Sequence, residues 1–216
     1  MVRPLRRMQI VIVLWLLAIA ACVLWVDRPW ANLAHTDPLG LRPVAVLTTQ
    51  LVDPLPVLAL VGAGLFSGAL FLGWRPRPGW SRSWIRPALS CGLALVLALA
   101  IKEQLKYGFG RTWPETWVEN NPSWIQDGIF GFFPFHGGRG WASFPSGHAC
   151  VTAAPAFVLW MLRSPLRWPA AAAVALVCAG LLAANYHWPS DVVAGLGLGF
   201  FCGWTAELLI AGLPRE

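Results

Sequence analysis

Charged residues are scarce in this chain of 216 residues. Lysine, arginine, aspartate and glutamate make up 12% of it, whereas hydrophobic residues make up 57%. A soluble domain typically has about 25% charged and roughly 45–50% apolar residues, and one small core could not bury an apolar excess of this size. These proportions exclude an ordinary soluble globular protein and predict a chain embedded in a lipid bilayer.

The sequence also lacks the patterns that typically bind metal ions or nucleic acids. None of the five cysteines has a second Cys or a His at the short spacing of a metal site, and no acidic cluster is present to hold magnesium. The net charge of +6 is not gathered into a basic stripe with interleaved polar and aromatic residues. We therefore expect no structural metal, no cofactor, no disulfide bond and no nucleic-acid partner.

Six apolar segments are long enough to cross a bilayer, whose hydrocarbon core of about 30 Å needs roughly 20 residues of helix. They run from Gln9 to Val26, Leu55 to Trp74, Pro87 to about Lys106, Gly147 to Leu162, Trp168 to about Tyr186 and Val192 to Leu213. Polar residues enter one end of the third and of the fourth segment, so those two ends should meet at one membrane surface. The predicted fold is all-α: a polytopic bundle of six transmembrane helices in a single domain, residues 1–216, with a long extracytoplasmic loop between helices 3 and 4.

Arginines in the short loops predict which way the bundle faces. The N-terminal segment, the loops after the second and fourth spans and the C-terminal tail all carry arginine, and loops of this kind lie in the cytoplasm. Both termini are therefore expected in the cytoplasm, and residues 107–145 on the opposite side. The first 22 residues also resemble a signal or lipoprotein leader. Because the apolar run continues through Val26, we expect a membrane helix that is not cleaved.

The outer loop, residues 107–145, is rich in tryptophan, phenylalanine, glycine and proline. One interpretation is an aromatic belt at the membrane interface. Loops of this length are usually either functional or disordered, and this one is too aromatic for disorder. The composition therefore favours a loop that takes part in function.

Three stretches with reactive side chains are expected on that outer face: KYGFGRTWP at 106–114, SFPSGH at 143–148 and NYHWPSD at 185–191. Ser146 and Gly147 begin the fourth span, where unpaired backbone N–H groups and the helix dipole favour an anion. Ser146 could equally be an ordinary helix cap. His148 lies inside the same helix, and an ionisable residue within a membrane helix indicates function.

His187 and Asp191 are four residues apart at the start of the last span, so one helical turn would bring them together. A carboxylate on one imidazole nitrogen fixes the tautomer and leaves the other nitrogen as a nucleophile or base. Lys102 and Lys106 share one face of the third span, where they either bind an anion or extend to the interface. We call the start of the fourth span at Ser146 and Gly147 the anion seat. Together, the two lysines, the anion seat and the two histidines indicate phosphoryl transfer without a metal.

These motifs resemble the type 2 phosphatidic acid phosphatase, or lipid phosphate phosphatase, superfamily. Its pattern is a Lys followed after six residues by Arg-Pro, then PSGH, then Ser-Arg followed after five residues by His and, four residues on, Asp. PSGH is present in full at 145–148, and His187 and Asp191 match the last two positions. The six-span layout is similar as well, so the resemblance covers most of the chain.

Two arginines of the family pattern are missing from this sequence. Trp113 and Leu181 stand at their positions, and the loss of two bidentate phosphate donors ordinarily weakens phosphate binding. Either Arg111, Arg139 or Lys102 takes over their role, or the activity is reduced or altered.

The resemblance implies a metal-independent hydrolase that acts on a membrane lipid phosphate. By the family mechanism His187 attacks phosphorus and forms a phosphohistidine, Asp191 orients His187, and His148 protonates the leaving oxygen. The phosphoryl oxygens would be held by side chains and backbone N–H groups of six residues: Lys106, Arg111, Ser146, Gly147, Arg139 and Lys102.

The substrates implied by the resemblance are lipids of a bacterial inner membrane, namely polyprenyl diphosphate, phosphatidylglycerol phosphate or lipid A phosphate, with the site on the periplasmic or outer side. Three alternatives stay open. The acceptor could be another lipid instead of water, the substrate could be a soluble phosphate ester, or the protein could bind lipid phosphates with little catalysis.

Overall fold

A computed structural model describes residues 2–50, 53–54, 57, 61–62, 85–117 and 120–212. These residues form helices joined by loops, with isolated β-bridges in the outer loop. In chain order the elements are α1 (Val2–Ala21), a π-helical turn (Cys22–Val26), α2 (Asp27–Thr36), α3 (Arg42–Gln50), α4 (Ile85–Phe109), α5 (Trp124–Asp127), a 3₁₀ turn (Arg139–Trp141), α6 (Gly147–Met161), α7 (Arg167–Ala183) and α8 (Pro189–Ala211). For the described residues the predicted all-α fold is confirmed.

Five of the six predicted spans fall on described helices. The continuous helix from Met8 to Thr36, α4 and α8 are long and apolar enough to cross a membrane. The helices α6 and α7 are apolar but shorter, with 15 and 17 residues. The second predicted span, 55–74, lies almost entirely outside the described residues. The six-span layout therefore stays a prediction, whereas the other five segments are confirmed as apolar helices.

The first helix continues through α2, whose 10 residues all lie beyond the predicted end at Val26. Pro29 lies in the first turn of α2, where it offers no N–H and its ring crowds the carbonyl four residues before it. The π-helical turn ends at Val26, three positions before this proline, and such a turn lets a helix accommodate the missing bond. The extension carries Asp27 into the interior of the protein, where it is fully buried.

The helices α6 and α8 pack closely at the centre of the bundle because glycines line their contact. Gly195, Gly199 and Gly203 recur every four residues along α8. A Cβ atom at Gly199 would lie 2.7 Å from the Cys150 carbonyl oxygen, and one at Gly203 would lie 2.6 Å from that of Ala154. Small residues allow such close approach between membrane helices. The helix α4 packs against both.

Tryptophan side chains fasten the outer loop to the bundle. The indole N–H of Trp117 donates to the Asn185 carbonyl at 3.2 Å, and that of Trp188 donates to the Thr112 carbonyl at 2.7 Å. Aromatic rings add to this contact, since Phe130 of the loop lies edge to face with Trp188 at the start of α8. The described part of the loop is therefore folded against the helix ends, which agrees with the prediction that it is not disordered.

Candidate active site

The three sequence stretches meet at one end of the bundle. The Ser146 backbone N–H donates to the Asp191 carbonyl at 3.0 Å, which joins the start of α6 to α8. A Cβ atom at Gly147 would lie 3.5 Å from Lys106 Nζ and 3.6 Å from Lys102 Nζ, so the end of α4 reaches the same place. The prediction that the polar ends of the third and fourth spans meet is confirmed.

His187 lies in the short connection between α7 and α8 and is 3% exposed. Its Nδ1 is 3.2 Å from Asp191 Oδ2, the pairing that the four-residue spacing predicts. Burial lowers the pKa of His187, the Asp191 carboxylate opposes this change, and Lys106 and His148 lower it further. A neutral imidazole is the form that can attack an electrophile, and Nε2 is the nitrogen left for that role.

Both carboxylate oxygens of Asp191 are held by donors. Oδ2 accepts from the Ser143 hydroxyl at 2.5 Å and from the Trp188 backbone N–H at 3.2 Å. Oδ1 accepts from Arg111 Nη1 at 2.6 Å. With these bonds the orientation of the carboxylate is fixed, and the imidazole that it contacts is fixed with it.

His148 lies in the first turn of α6 and is partly exposed. Its Nε2 is 3.1 Å from Asp53 Oδ1. Asp53 belongs to none of the three stretches and stands 95 positions away from His148. No sequence pattern connects the two residues. The contact adds an acidic side chain to the site.

Two lysines lie at the first turn of α6, and an arginine lies in electrostatic range of one of them. Lys102 forms an ion pair with Glu103, whereas Lys106 forms none within the described residues. Arg139, in the 3₁₀ turn of the outer loop, lies close enough to Lys106 for electrostatic interaction. The structure therefore places Lys102 and Lys106 at the start of α6, with Arg139 within electrostatic range of Lys106.

Ser146 acts as the cap of α6. Its hydroxyl oxygen accepts from the Ala149 backbone N–H, and its own N–H is bonded to Asp191, as described above. The capping interpretation of Ser146 is thus confirmed. Since the Ser146 N–H is engaged within the protein, the anion seat expected at Ser146 and Gly147 falls to Gly147, the first residue of the helix.

Arg111, which is expected at the phosphate, is bound by side chains of the protein. It is fully buried, and its terminal nitrogens donate to Asp191, Ser190 and Asp27 at 2.5 to 2.6 Å. Gly110 makes the turn that directs it inward, with φ at +56° and the Phe133 carbonyl against its Cα, where a Cβ would overlap it. This turn brings the guanidinium to the carboxylates of Asp27 and Asp191.

A family model of the PAP2 superfamily matches residues 87–212, which is more than half of the chain and includes all three stretches. The chain belongs to the PAP2 superfamily. The resemblance based on PSGH and on the later His and Asp is thereby confirmed.

Known proteins similar to this PAP2 chain include two curated relatives and one solved structure. Lipid A 1-phosphatases of Rhizobium etli and Rhizobium johnstonii are each 32% identical to it, over 128 and 131 residues. The matches cover 58% and 60% of this chain but 49% of each relative, so the chain spans about half the length of the curated relatives it matches. The transmembrane PAP2 type phosphatidylglycerolphosphate phosphatase from Bacillus subtilis is 20% identical, with a TM-score of 0.52 over 94% of this chain and 96% of that one. This likeness shows that the fold is shared.

At the two positions where the PAP2 pattern has arginine, the structure shows an aromatic and an apolar contact. Trp113 lies against the His187 imidazole, with ring centroids 5.0 Å apart, and its indole N–H donates to the Arg139 carbonyl at 3.0 Å. Leu181 is fully buried in the core. Gly180, just before it, lies so close to α3 that a Cβ there would overlap a side-chain oxygen of that helix. Since neither position carries a cation, the positive charge of the site comes from other residues.

Proposed function

We propose that this PAP2 protein is a membrane lipid phosphatase that passes the phosphoryl group of a lipid phosphate to His187 and then to water. The observation that carries the proposal is the His187–Asp191 pair at 3.2 Å, buried beside His148, Lys106 and the start of α6. This arrangement combines an oriented imidazole, a second imidazole and a cationic anion seat.

In the proposed reaction Nε2 of His187 attacks phosphorus and the bond between phosphorus and the lipid oxygen breaks. His148 gives a proton to the leaving oxygen. Asp191 accepts the hydrogen bond of the Nδ1–H group and stabilises the positive charge that the ring gains. Water then gives a proton to His148 and attacks phosphorus, the phosphorus–nitrogen bond breaks, and inorganic phosphate leaves.

The cations at the start of α6 take the place of the two arginines that the family pattern has and this chain lacks. A transferring phosphoryl group spreads charge over three oxygens, so several donors are needed. We propose Lys106, Lys102 and Arg139 as the side-chain donors, with the N-terminus of α6 at Gly147 as the backbone seat. Trp113 supports this arrangement, because its bond to the Arg139 carbonyl holds the Arg139 backbone beside His187.

A lipid substrate is proposed because the site lies at the end of a bundle of apolar helices, under an aromatic loop. The names of the similar proteins, lipid A 1-phosphatase and phosphatidylglycerolphosphate phosphatase, favour the same class. We propose a lipid with a phosphate or diphosphate at headgroup depth, on the outer side of a bacterial inner membrane. Polyprenyl diphosphate, phosphatidylglycerol phosphate and lipid A 1-phosphate are the candidates.

Phosphate release by the purified protein in detergent tests the proposal. Each candidate lipid is supplied in turn, beside the water-soluble ester p-nitrophenyl phosphate. We expect release from at least one lipid, and His187→Asn should lower kcat/KM by about a thousandfold or more. His136→Asn is a matched control, since His136 is exposed in the outer loop and should keep its activity.

Three results would contradict parts of this proposal. Unchanged release by His187→Asn would remove His187 as nucleophile. Release from the soluble ester alone would exclude the lipid specificity. Binding of the lipids without release would favour a lipid-phosphate-binding protein.

A further inference from the structure

A buried network of charges links the first long helix to the nucleophile. Asp27 in α2 accepts from Arg111 Nη2 through Oδ2 at 2.6 Å, and Arg111 Nη1 donates to Asp191 Oδ1 at 2.6 Å. Asp191 in turn contacts His187. All three residues before His187 in this series are fully buried, although Asp27 and Arg111 lie 84 positions apart.

Ser190 closes the network on the side of α8. Its backbone N–H donates to Asp27 Oδ1 at 2.9 Å, and its hydroxyl donates to Asp27 Oδ2 at 2.6 Å. The same hydroxyl oxygen accepts from Arg111 at 2.5 Å. Asp27 therefore receives donors on both carboxylate oxygens, and its side chain is anchored to the start of the helix that carries Asp191.

Aromatic rings enclose the Arg111 guanidinium. Four ring centroids lie 4.6 to 5.8 Å from its central carbon, those of Phe130, Phe132, Phe144 and Trp188. Rings at this distance attract a cation and exclude water, so the ion pairs inside are strong. Both terminal nitrogens are engaged by Asp27, Ser190 and Asp191, and Nε has no hydrogen-bond partner among the described residues. The terminal nitrogens of the guanidinium are thus engaged within the protein and not open to a phosphate.

We propose that Arg111 and Asp27 are positioning residues for the nucleophile: Asp27 holds Arg111, Arg111 holds Asp191, and Asp191 holds His187. The inference rests on the proposed function, because that function makes His187 the nucleophile. Neither residue touches the phosphoryl group in this account.

The network also sets how much negative charge His187 experiences from Asp191. The guanidinium offsets part of the Asp191 charge, so its removal favours the protonated imidazole and moves the titration of His187 to higher pH. The other groups that face His187 are Asp191 on α8, Lys106 on α4 and His148 on α6. A change at Arg111 and Asp27 leaves those three groups in place.

The test uses a double variant, because Arg111→Met alone would leave two buried carboxylates without their cation and could fail to fold. Arg111→Met with Asp27→Asn removes one charge of each sign. A matched control is Arg86→Met with Glu207→Gln, which removes a guanidinium–carboxylate pair at the start of α4 and near the end of α8, the helix ends opposite to those of the site. Asp27→Asn alone provides a milder second variant.

Two measurements report the result. Steady-state kinetics on the preferred lipid should show kcat lowered at least tenfold for the double variant, with KM and inhibition by inorganic phosphate within about threefold of wild type. Nitrogen NMR of the ¹⁵N-labelled histidines, only four in the chain, should show His187 titrating about one pH unit higher, with His187→Asn assigning the signal. Asp27→Asn should lower kcat by less; because it removes a negative charge and keeps the guanidinium, it should not move the His187 titration to higher pH. The control pair should change neither.

Two outcomes would overturn the proposal. A tenfold rise in KM and in the phosphate inhibition constant, with unchanged titration, would make Arg111 a phosphate ligand. A lower melting temperature with unchanged kcat and titration would make the network merely structural. The titration needs no substrate, so it tests the positioning role even if the phosphatase proposal fails, whereas phosphate release by His187→Asn tests that proposal alone.

Discussion

Lys106 and Lys102 stand one helical turn apart at the end of α4, but they should contribute unequally to catalysis. Both ammonium groups lie near the start of α6. Lys102 is paired with Glu103, and its side chain is 14% exposed. The Glu103 carboxylate therefore offsets much of the Lys102 charge that a phosphoryl group would meet. Glu103 and Asp191 act on Lys106 as well, but Lys106 forms no ion pair within the described residues and keeps more of its charge for the phosphoryl group.

The expected magnitude follows from Coulomb's law for a cation in contact with the phosphoryl group. Two unit charges about 4 Å apart interact by about 4 kcal/mol at an effective dielectric constant near 20. If most of this interaction develops in the transition state, Lys106→Gln should cost about 3 kcal/mol, or roughly a hundredfold in kcat/KM. For the partly neutralised Lys102, Lys102→Gln should cost about 1 kcal/mol, roughly fivefold.

The assay is kcat/KM for the preferred lipid in mixed micelles at fixed surface concentration. Glu103→Gln provides an internal control, because it frees the charge of Lys102 and should enlarge the effect of Lys102→Gln. The reasoning is refuted if Lys102→Gln costs as much as Lys106→Gln, or if both variants stay within threefold of wild type.

Three further predictions concern topology, metals and packing. In a cysteine-free background, an impermeant thiol reagent on intact cells should label Gly137→Cys and not Ser164→Cys; the reverse pattern would invert the bundle. Phosphate release should survive EDTA, since every proposed group is a His, Lys, Arg, Asp or backbone N–H; loss restored by one divalent ion would contradict this. Gly199→Ala should lower the melting temperature in detergent, at a cost of about 1–3 kcal/mol, because its Cβ would lie 2.7 Å from backbone. A Cβ atom at Gly92 would have nothing within 4 Å, so Gly92→Ala should leave the melting temperature unchanged. Equal effects of the two substitutions would contradict the packing argument.

Features that depend on neighbouring residues were predictable from the sequence. Apolar runs mark the helices because only a lipid-facing segment tolerates so few polar side chains. The pairing of His187 with Asp191 follows from one turn of helix, and the capping of α6 follows from Ser146 before an apolar run. Each of these needs only a few residues of sequence and a known local geometry.

Contacts between distant segments could not be read in the same way. Asp27 meets Arg111 across 84 positions and Asp53 meets His148 across 95, and no periodicity connects such pairs. Glycine at position 110 allows a sharp turn, but the sequence does not show which residue Arg111 meets after it. That residue is Asp27, which lies just beyond the predicted end of the first span. An acidic residue at the end of an apolar membrane segment is itself an indication of function. For Asp27, this position directly after the apolar run is the sequence feature that points to a role.

The measurement that tests the central claim most directly is capture of the phosphorylated enzyme. The protein is mixed with a ³²P-labelled lipid phosphate, quenched in alkali, where phosphohistidine is stable, and digested for mass spectrometry. We predict label on the peptide that contains His187 in wild type and none in His187→Asn. Label on another residue, or phosphate release by His187→Asn at the wild-type rate, would contradict the account.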